Sequence, residues 1–262
     1  MNHCHISIMC NELTFLKQKL PFLYNNFKQL IFVDYNIIDK CNSNDGTIEY
    51  IENFSDIDNK ITLIKDFDPS KVKSWNGVSI IEKQKMFAEA SKYVYDNIDI
   101  IWATDLDEYF EKDLINEVEN MYLNDKQLVS IDLPHKIFAY NQYNVYDKND
   151  FYIAPRITKH KKGCIYGHCN FGTYGKTIKY TNRCLYHFAF IGFKRCAFKF
   201  NKVYKNENTM KPWLEAYIKA MSKKEKHVKL FHPAYTYLYT SPYNGDYPDY
   251  IDVDAMCESL NN

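Results

Sequence analysis

Ile100-Ile101-Trp102-Ala103-Thr104-Asp105-Leu106-Asp107-Glu108-Tyr109-Phe110 carries an apolar run straight into a group of carboxylates. Consecutive apolar, β-branched and aromatic residues bounded by polar ones read as a buried strand. Its carboxyl end delivers Asp105 and Asp107 two residues apart. On an extended backbone residues i and i+2 point the same way, so the spacing predicts that both carboxylates face one ligand while Leu106 turns into the core. Two hard oxygen donors at a strand end suit Mg²⁺ or Mn²⁺ carrying a diphosphate. The alternative is an acidic strand end neutralised by lysine or capping the next helix.

Working outward, short apolar runs recur at His5–Met9, Leu30–Asp34, Ile61–Lys65, Ile98–Thr104 and Leu128–Leu133. Helix-like stretches lie between them: Glu12–Phe27, Asn44–Phe54, Val78–Asn97 and Glu111–Tyr122. In the third, Ile80, Phe87, Ala90 and Val94 recur on one helical face. Strand-helix alternation predicts an α/β fold with a mostly parallel central sheet and helices on both faces. Ligands of such sheets bind outside the carboxyl ends of the strands. The second half reads as irregular β structure rich in aromatics, from Asp132 to Tyr204. A helix over Lys211–Ser222 follows, with Pro212 in its first turn and Trp213, Ala216, Tyr217 and Ala220 as its buried stripe. From Asp246 onward, Asp246, Asp249, Asp252, Asp254 and Glu258 predict a solvated tail or surface wrap.

The chain has 262 residues, with Lys+Arg and Asp+Glu both 33 and a net charge of zero. That balance argues against a nucleic-acid binder, whose footprint is a basic excess. A hydrophobic content of 46% excludes a disordered chain. No run of about 18 apolar residues exists to span a membrane, and the start does not read as a signal peptide. The eight cysteines form no C-x-x-C pair, which disfavours structural zinc and fits reduced thiols in a cytoplasmic protein. There is no G-x-x-x-x-G-K-[ST], G-x-G-x-x-G or G-x-S-x-G, so nucleotide kinases, dinucleotide oxidoreductases and lipase-like hydrolases lose support.

Several residues carry chemistry of their own. Asp34 ends the Leu30–Asp34 run, where a carboxylate can accept from a nucleobase N–H or a ribose hydroxyl, or cap the next segment. Asn11 and Glu12 open the first helix and can touch a nucleotide, or simply start the helix. Asp45, in Asn44-Asp45-Gly46-Thr47, has the same two readings. His187, between Tyr186 and Phe188, can complete the coordination of a metal held by Asp107, or be a core histidine; His232 and His168 are rival ligands. Arg156 is one of three arginines in a lysine-rich chain. A bidentate guanidinium is not interchangeable with ammonium, so Arg156 predicts a fixed partner, either substrate or a structural carboxylate. Lys176 is the second cation placed near substrate.

Asp105-Leu106-Asp107-Glu108-Tyr109-Phe110 resembles the D-x-D-E-[FY] element of family-2-like glycosyltransferases with the GT-A fold. Other pieces follow in that family's order. Met9-Cys10-Asn11-Glu12 resembles its first-strand turn, and Asp34 with Ser43-Asn44-Asp45-Gly46-Thr47 its D-x-S-x-D-G-T segment. Gln84 followed by Phe87 resembles its Gln-containing helix, Gly175-Lys176-Thr177-Ile178 its G-K-S-I strand, and Tyr186-His187-Phe188 a late His-aromatic element. One departure is the segment Tyr35–Asn42, where the family has a shorter connection beside the nucleotide base.

The resemblance implies a single GT-A-like domain over 1–262. Residues 1–130 would be the nucleotide-binding half, 131–245 the acceptor half and 246–262 the acidic tail. It implies a metal-dependent transfer of sugar from a nucleoside-diphosphate sugar, with UDP as the favoured base carrier, to a hydroxyl acceptor such as a glycan, with inversion. Asn11, Glu12, Asp34, Asp45, Gln84, Asp105, Arg156 and Lys176 would bind the donor. Asp105, Asp107 and His187 would hold Mn²⁺ or Mg²⁺. An inverting transfer needs one carboxylate to deprotonate the acceptor; Asp132 is the first candidate, with Asp147 and Asp150 as rivals. Phe138, Tyr140, Tyr143, Tyr146, Phe151 and Tyr152 would stack on sugars or pack the core. A haloacid-dehalogenase-type phosphotransferase and an inactive sugar-binding module are the alternatives.

Overall fold

In the computed structural model, the structure describes residues 1–36, 39–71, 82–146, 153–164, 175–198, 207–221, 229–232 and 235–261. The chain divides into two compact units. The first comprises Met1–Leu106, Glu111–Leu133 and Ile153–Arg183; the second comprises Asp107–Phe110, Pro134–Tyr152 and Cys184–Asn262.

The first unit is built on β1 (His3–Met9). It pairs in parallel with β2 (Gln29–Asp34) on one side and β4 (Ile100–Ala103) on the other. Beyond β2 lies β3 (Ile61–Ile64), also parallel. Beyond β4 lies β8 (Ile153–Lys159), antiparallel, and then the first part of β6 (Leu128–Tyr140), which pairs in parallel with β9 (Lys176–Lys179). The strands of the parallel core read as near-continuous apolar runs because both faces are covered. On one face Cys4, Ile6, Ile31, Val33, Ile101 and Ala103 pack against Met86, Phe87 and Ala90 of α3 (Glu82–Ser91). The alternate residues look the other way, as the twofold strand period requires. His5 meets Phe27, just past α1 (Leu13–Asn26), edge-on at 5.5 Å, and Trp102 meets the same ring at 5.7 Å. Helices thus cover both faces of a mostly parallel sheet, as the alternation predicts. Among the described residues this unit also holds α2 (Thr47–Glu52), α4 (Asp113–Asn124) and a short 3₁₀ helix at Pro69–Lys71.

The third helix is shorter than the periodicity predicts. It ends at Ser91, residues 78–81 of the expected span lie outside the described residues, and Val94 packs on the same cluster from the following turn.

The second unit is largely antiparallel. Its β10 (Leu185–Ile191) runs antiparallel to the short β5 (Glu108–Tyr109) and parallel to the second part of β6. β7 (Asn144–Tyr146) joins β6 to β12 (Tyr235–Pro242), which pairs with β11 (Lys229–His232). Among the described residues its helices are α5 (Phe193–Phe198), α6 (Glu207–Met221) and α7 (Val253–Asn261).

Two further expectations change on inspection, and one open alternative is decided. The acidic C-terminal stretch contains α7, which buries Val253, Met256 and Cys257. These residues recur at helical spacing among outward-facing acids, and the acids masked the stripe. Helix α6 starts at Glu207, so Pro212 lies inside it and not in its first turn; the backbone there forgoes one amide donor. Phe138 and Tyr140 are fully buried, so they pack the core, whereas Tyr143 is exposed; Phe151 and Tyr152 lie outside the described residues, as does the side chain of Tyr146.

Gly192, between β10 and α5, has φ +85°, and a Cβ there would meet the Leu260 backbone oxygen at 3.0 Å. A side chain at this position is disfavoured both by the left-handed backbone and by the neighbouring helix end. Among the described residues, no helix is long and apolar enough to cross a membrane, and none of the seven described cysteines is in a disulfide.

Phe87 is wholly buried between α3 and the sheet. Phe87→Ala is expected to lower the unfolding free energy by about 3–5 kcal/mol, read from urea denaturation followed by circular dichroism. An unchanged midpoint would contradict this packing.

Candidate functional site

In the first unit, the carboxyl ends of β2 and β1 are knitted together by polar side chains. Asp34, the last residue of β2, is fully buried. One of its oxygens accepts from the Ser43 amide at 2.7 Å and the other from the Ser43 hydroxyl. The Ser43 hydroxyl oxygen in turn accepts from the Asn11 amide at 2.7 Å, and the Asn11 side-chain oxygen accepts from the Asn44 amide at 2.9 Å. Asn11 holds φ +54°, the left-handed turn that Asn tolerates better than most residues. Asp45 accepts from the Thr47 amide at 3.0 Å and from the Leu13 amide at 3.1 Å. The Glu12 amide donates to the Thr47 hydroxyl at 3.1 Å. Asn11, Glu12, Asp34 and Asp45 are therefore brought together, with Asp45 acting as a cap for both α1 and α2. Residues 37 and 38 of the Tyr35–Asn42 segment lie outside the described residues; its ends are closed by an Asn36–Cys41 bridge.

At the end of β4, the strand beside β1, Asp105 is surrounded by cations. Its carboxylate lies 2.9 Å from Lys83 Nζ and 3.9 Å from Arg156 Nη2. Lys19, fully buried in α1, donates to the Asp105 carbonyl at 2.7 Å and to the Thr104 hydroxyl at 2.9 Å. The same hydroxyl is 2.7 Å from His5 Nε2. Burial pushes the His5 pKa well below its ordinary value and Lys19 adds to that, so this imidazole stays neutral beside the lysine. Arg156 thus has a carboxylate within ion-pair reach, one of the two partners its presence in a lysine-rich chain suggests. Gln84 lies buried on α3.

Leu106 and Asp107 form a turn, not an extension of β4. The reasoning that residues two apart on a strand face one ligand does not apply to Asp105 and Asp107, because the backbone between them is not extended. Leu106 is buried, as expected.

In the second unit, Asp107 heads a different cluster. Arg195 Nη2 donates to Asp107 Oδ2 at 2.5 Å, and His187 Nε2 lies 3.5 Å from the same oxygen. The other edge of the His187 ring faces inward: its Nδ1 is 3.5 Å from His135 Nδ1 and 3.9 Å from Glu108 Oε1. His135 Nδ1 is 3.8 Å from Glu108 Oε1. Strand pairing creates this triangle, since β10 sets His187 against Glu108 of β5 and Ile137 of β6. Glu108, His135 and His187 together offer a carboxylate oxygen and two imidazole nitrogens, arranged as three ligands of a metal ion. A tetrahedral ion with bonds of about 2.0–2.2 Å separates its ligands by about 3.3–3.6 Å, close to the observed edges. The nitrogen-rich set suits Zn²⁺ or Mn²⁺ better than Mg²⁺, which prefers oxygen.

The other expected residues are placed elsewhere. Lys176, exposed at the start of β9, pairs with Asp125 at 2.6 Å. Asp132 lies within β6; burial raises its proton affinity, Lys179 lowers it, and its buried Oδ1 has no hydrogen-bond partner among the described residues. Asp147, Asp150 and His168, together with the side chain of His232, lie outside the described residues. Sequence reading missed His135 and Arg195 entirely and did not assign Glu108 as a ligand. The one local signal for Glu108 was its place beside Asp107; nothing near His135 or Arg195 points to a site.

No protein-family profile matches the chain, and no curated protein matches it. Among solved structures it is similar to residues 1–349 of S. aureus TarS, at 14% identity and TM-score 0.38, over 61% of this chain and 47% of that one. It is also similar to 4-diphosphocytidyl-2C-methyl-D-erythritol synthase from Anaerococcus prevotii, at 9% identity and TM-score 0.33, over 89% of this chain and 81% of that one. Both likenesses are loose.

Burial raises the Asp34 pKa, against the pull of the two Ser43 hydrogen bonds. A folded pKa above the unfolded value of about 3.9 means that the folded state holds the proton longer, so this group's contribution to stability falls as pH rises above about 4. Urea denaturation from pH 4 to 7 should show wild type losing stability relative to Asp34→Asn as pH increases. Parallel pH profiles would remove Asp34 as the source.

Proposed function

We propose that the chain is a metal-dependent glycosyltransferase that moves a sugar from a nucleoside-diphosphate sugar, UDP-linked by preference, to a hydroxyl acceptor. One observation carries the reading. Three adjacent parallel strands, β2, β1 and β4, bring Asp34 at the end of β2, and Asn11 and Asp105 just beyond the ends of β1 and β4, to the carboxyl edge of the sheet, and ligands of such sheets bind beyond the strands' carboxyl ends.

In this reading Asp34 accepts a hydrogen bond from the nucleobase or ribose, and Asn11 and Glu12 line the turn beside it. Lys83 and Arg156 supply positive charge near the diphosphate, and Asp105 keeps them in place. Asp132 takes the proton from the acceptor hydroxyl, a role that its raised proton affinity suits. Glu108, His135 and His187 would hold the metal on which the reaction depends, an ion whose chemistry is to stabilise negative charge on oxygen. Lys176, spent on Asp125, takes no part. A second reading is favoured by the donor set itself: two histidines and a glutamate are also ligands of zinc sites that activate water, which would make the chain a sugar-nucleotide hydrolase.

The test is a thermal-shift panel of UDP-, GDP-, CMP- and dTDP-sugars with and without Mn²⁺ or Zn²⁺. A donor at 100 times its dissociation constant adds about 2.7 kcal/mol of stability. The expected result is the largest shift with a UDP-sugar and metal, and a smaller one in Asp34→Ala. No shift with any sugar nucleotide would sink the proposal, and release of free sugar at the same rate with and without acceptor alcohols would select the hydrolase.

A further inference from the structure

The two edges of the His187 ring face different surroundings. The Nδ1 edge meets Glu108 and His135, and the Nε2 edge meets Asp107 at 3.5 Å. Only one edge can serve a metal, and Arg195 distinguishes them. Its guanidinium already holds the Asp107 oxygen that faces His187, at 2.5 Å. A cation cannot readily take that oxygen without displacing another cation.

Arg195 is not free to leave. Its Nη1 donates to the carbonyls of Phe188 at 3.1 Å and Ala189 at 2.8 Å, the two residues after His187. The β10–β6 register shifts between His187 and Phe190, a bulge that turns backbone groups away from the regular ladder. The left-handed Gly192 then turns the chain into α5, which carries Arg195. Asp107 is also anchored through its backbone, because its carbonyl accepts from the Phe188 amide at 2.9 Å. The arrangement is a guanidinium holding a carboxylate whose oxygen lies 3.5 Å from an imidazole nitrogen. A metal-bound histidine commonly donates its other ring N–H to a carboxylate in this way, which sets the tautomer and the ring plane.

We infer that Asp107 is a positioning residue and not a metal ligand: held by Arg195, it accepts from His187 Nε2–H and so presents Nδ1, with Glu108 and His135, to the ion. This rests on the metal-centre reading of those three residues.

The test uses the full chain and Co²⁺ as a spectroscopic probe, with titrations followed by visible absorption and calorimetry. Wild type should bind with ligand-field bands of a nitrogen- and oxygen-ligated ion. Asp107→Asn and Arg195→Gln should weaken Co²⁺ binding about 10- to 100-fold while the bands keep their positions, and Arg195→Lys should recover part of the loss. Glu108→Gln and His135→Ala should change or abolish the bands. Far-UV circular dichroism of each apo variant checks the fold, and Arg195→Gln reads the same chain of contacts should Asp107→Asn not fold. If wild type binds but Asp107→Asn shifts the bands, loses binding as completely as His187→Ala, or binds as tightly as wild type, the positioning role is overturned. If wild type shows neither bands nor heat, the metal-centre reading itself has failed.

Discussion

Carboxylates taken out of water must meet a counter-charge or hydrogen-bond donors, and three of them meet that demand in one short segment. Asp107 and Glu108 are almost wholly buried, and the Asp105 side chain is 18% exposed. Asp105 has Lys83 and Arg156, Asp107 has Arg195, and Glu108 lies 3.8 Å from His135 and 3.9 Å from His187. Removing one member of such a pair costs about 3–5 kcal/mol, because it strands the other charge in a poorly solvated place. The pairings are therefore as much a condition of folding as a means of holding a ligand.

The same demand explains arginine in a chain that otherwise uses lysine. All three arginines bind carboxylates: Arg156 faces Asp105, Arg195 faces Asp107, and Arg183 bridges Glu117 and Glu111. Arg195 reaches a carboxylate and two carbonyls at once, and Arg183 reaches two carboxylates. A planar guanidinium with several donors in fixed directions can do this; an ammonium on a flexible stem is a single point of charge. The partly exposed pair of Lys176 and Asp125 needs no such fork and uses lysine.

The two units satisfy these needs through different backbones. In the first, parallel strands end together, so loops from β1 and β2 can share hydrogen bonds through Ser43 and Thr47. In the second, an antiparallel strand pair sets Glu108 opposite His187, and a bulge frees carbonyls for Arg195. Parallel order gathers residues at strand ends, whereas antiparallel register gathers them across a ladder. That contrast is why one site is built of capping side chains and the other of ring nitrogens and carboxylates.

The amino-acid sequence by itself placed β1 to β4, the start of β6 and the helices between them, the layered α/β class and the positions of Asp34, Asn11 and Asp105 at or just past strand ends, whereas β8 and β9 fell in a stretch that reads only as irregular β structure. Those placements follow from periods of two and about 3.6 residues, which are written locally in the chain. It also marked Arg156 as a residue with a fixed partner, through its rarity alone. Helix α7 escaped reading because acids interrupt its apolar stripe, and the D-x-D geometry was misjudged because the extended backbone assumed for it is a turn. Only the tertiary structure decided which charge meets which. His135 and His187 are 52 residues apart, and Asp107 and Arg195 are 88 apart. No local period encodes such pairings; they arise when strand register and a bulge bring distant side chains into one dry place, where an unpaired charge is too costly to leave.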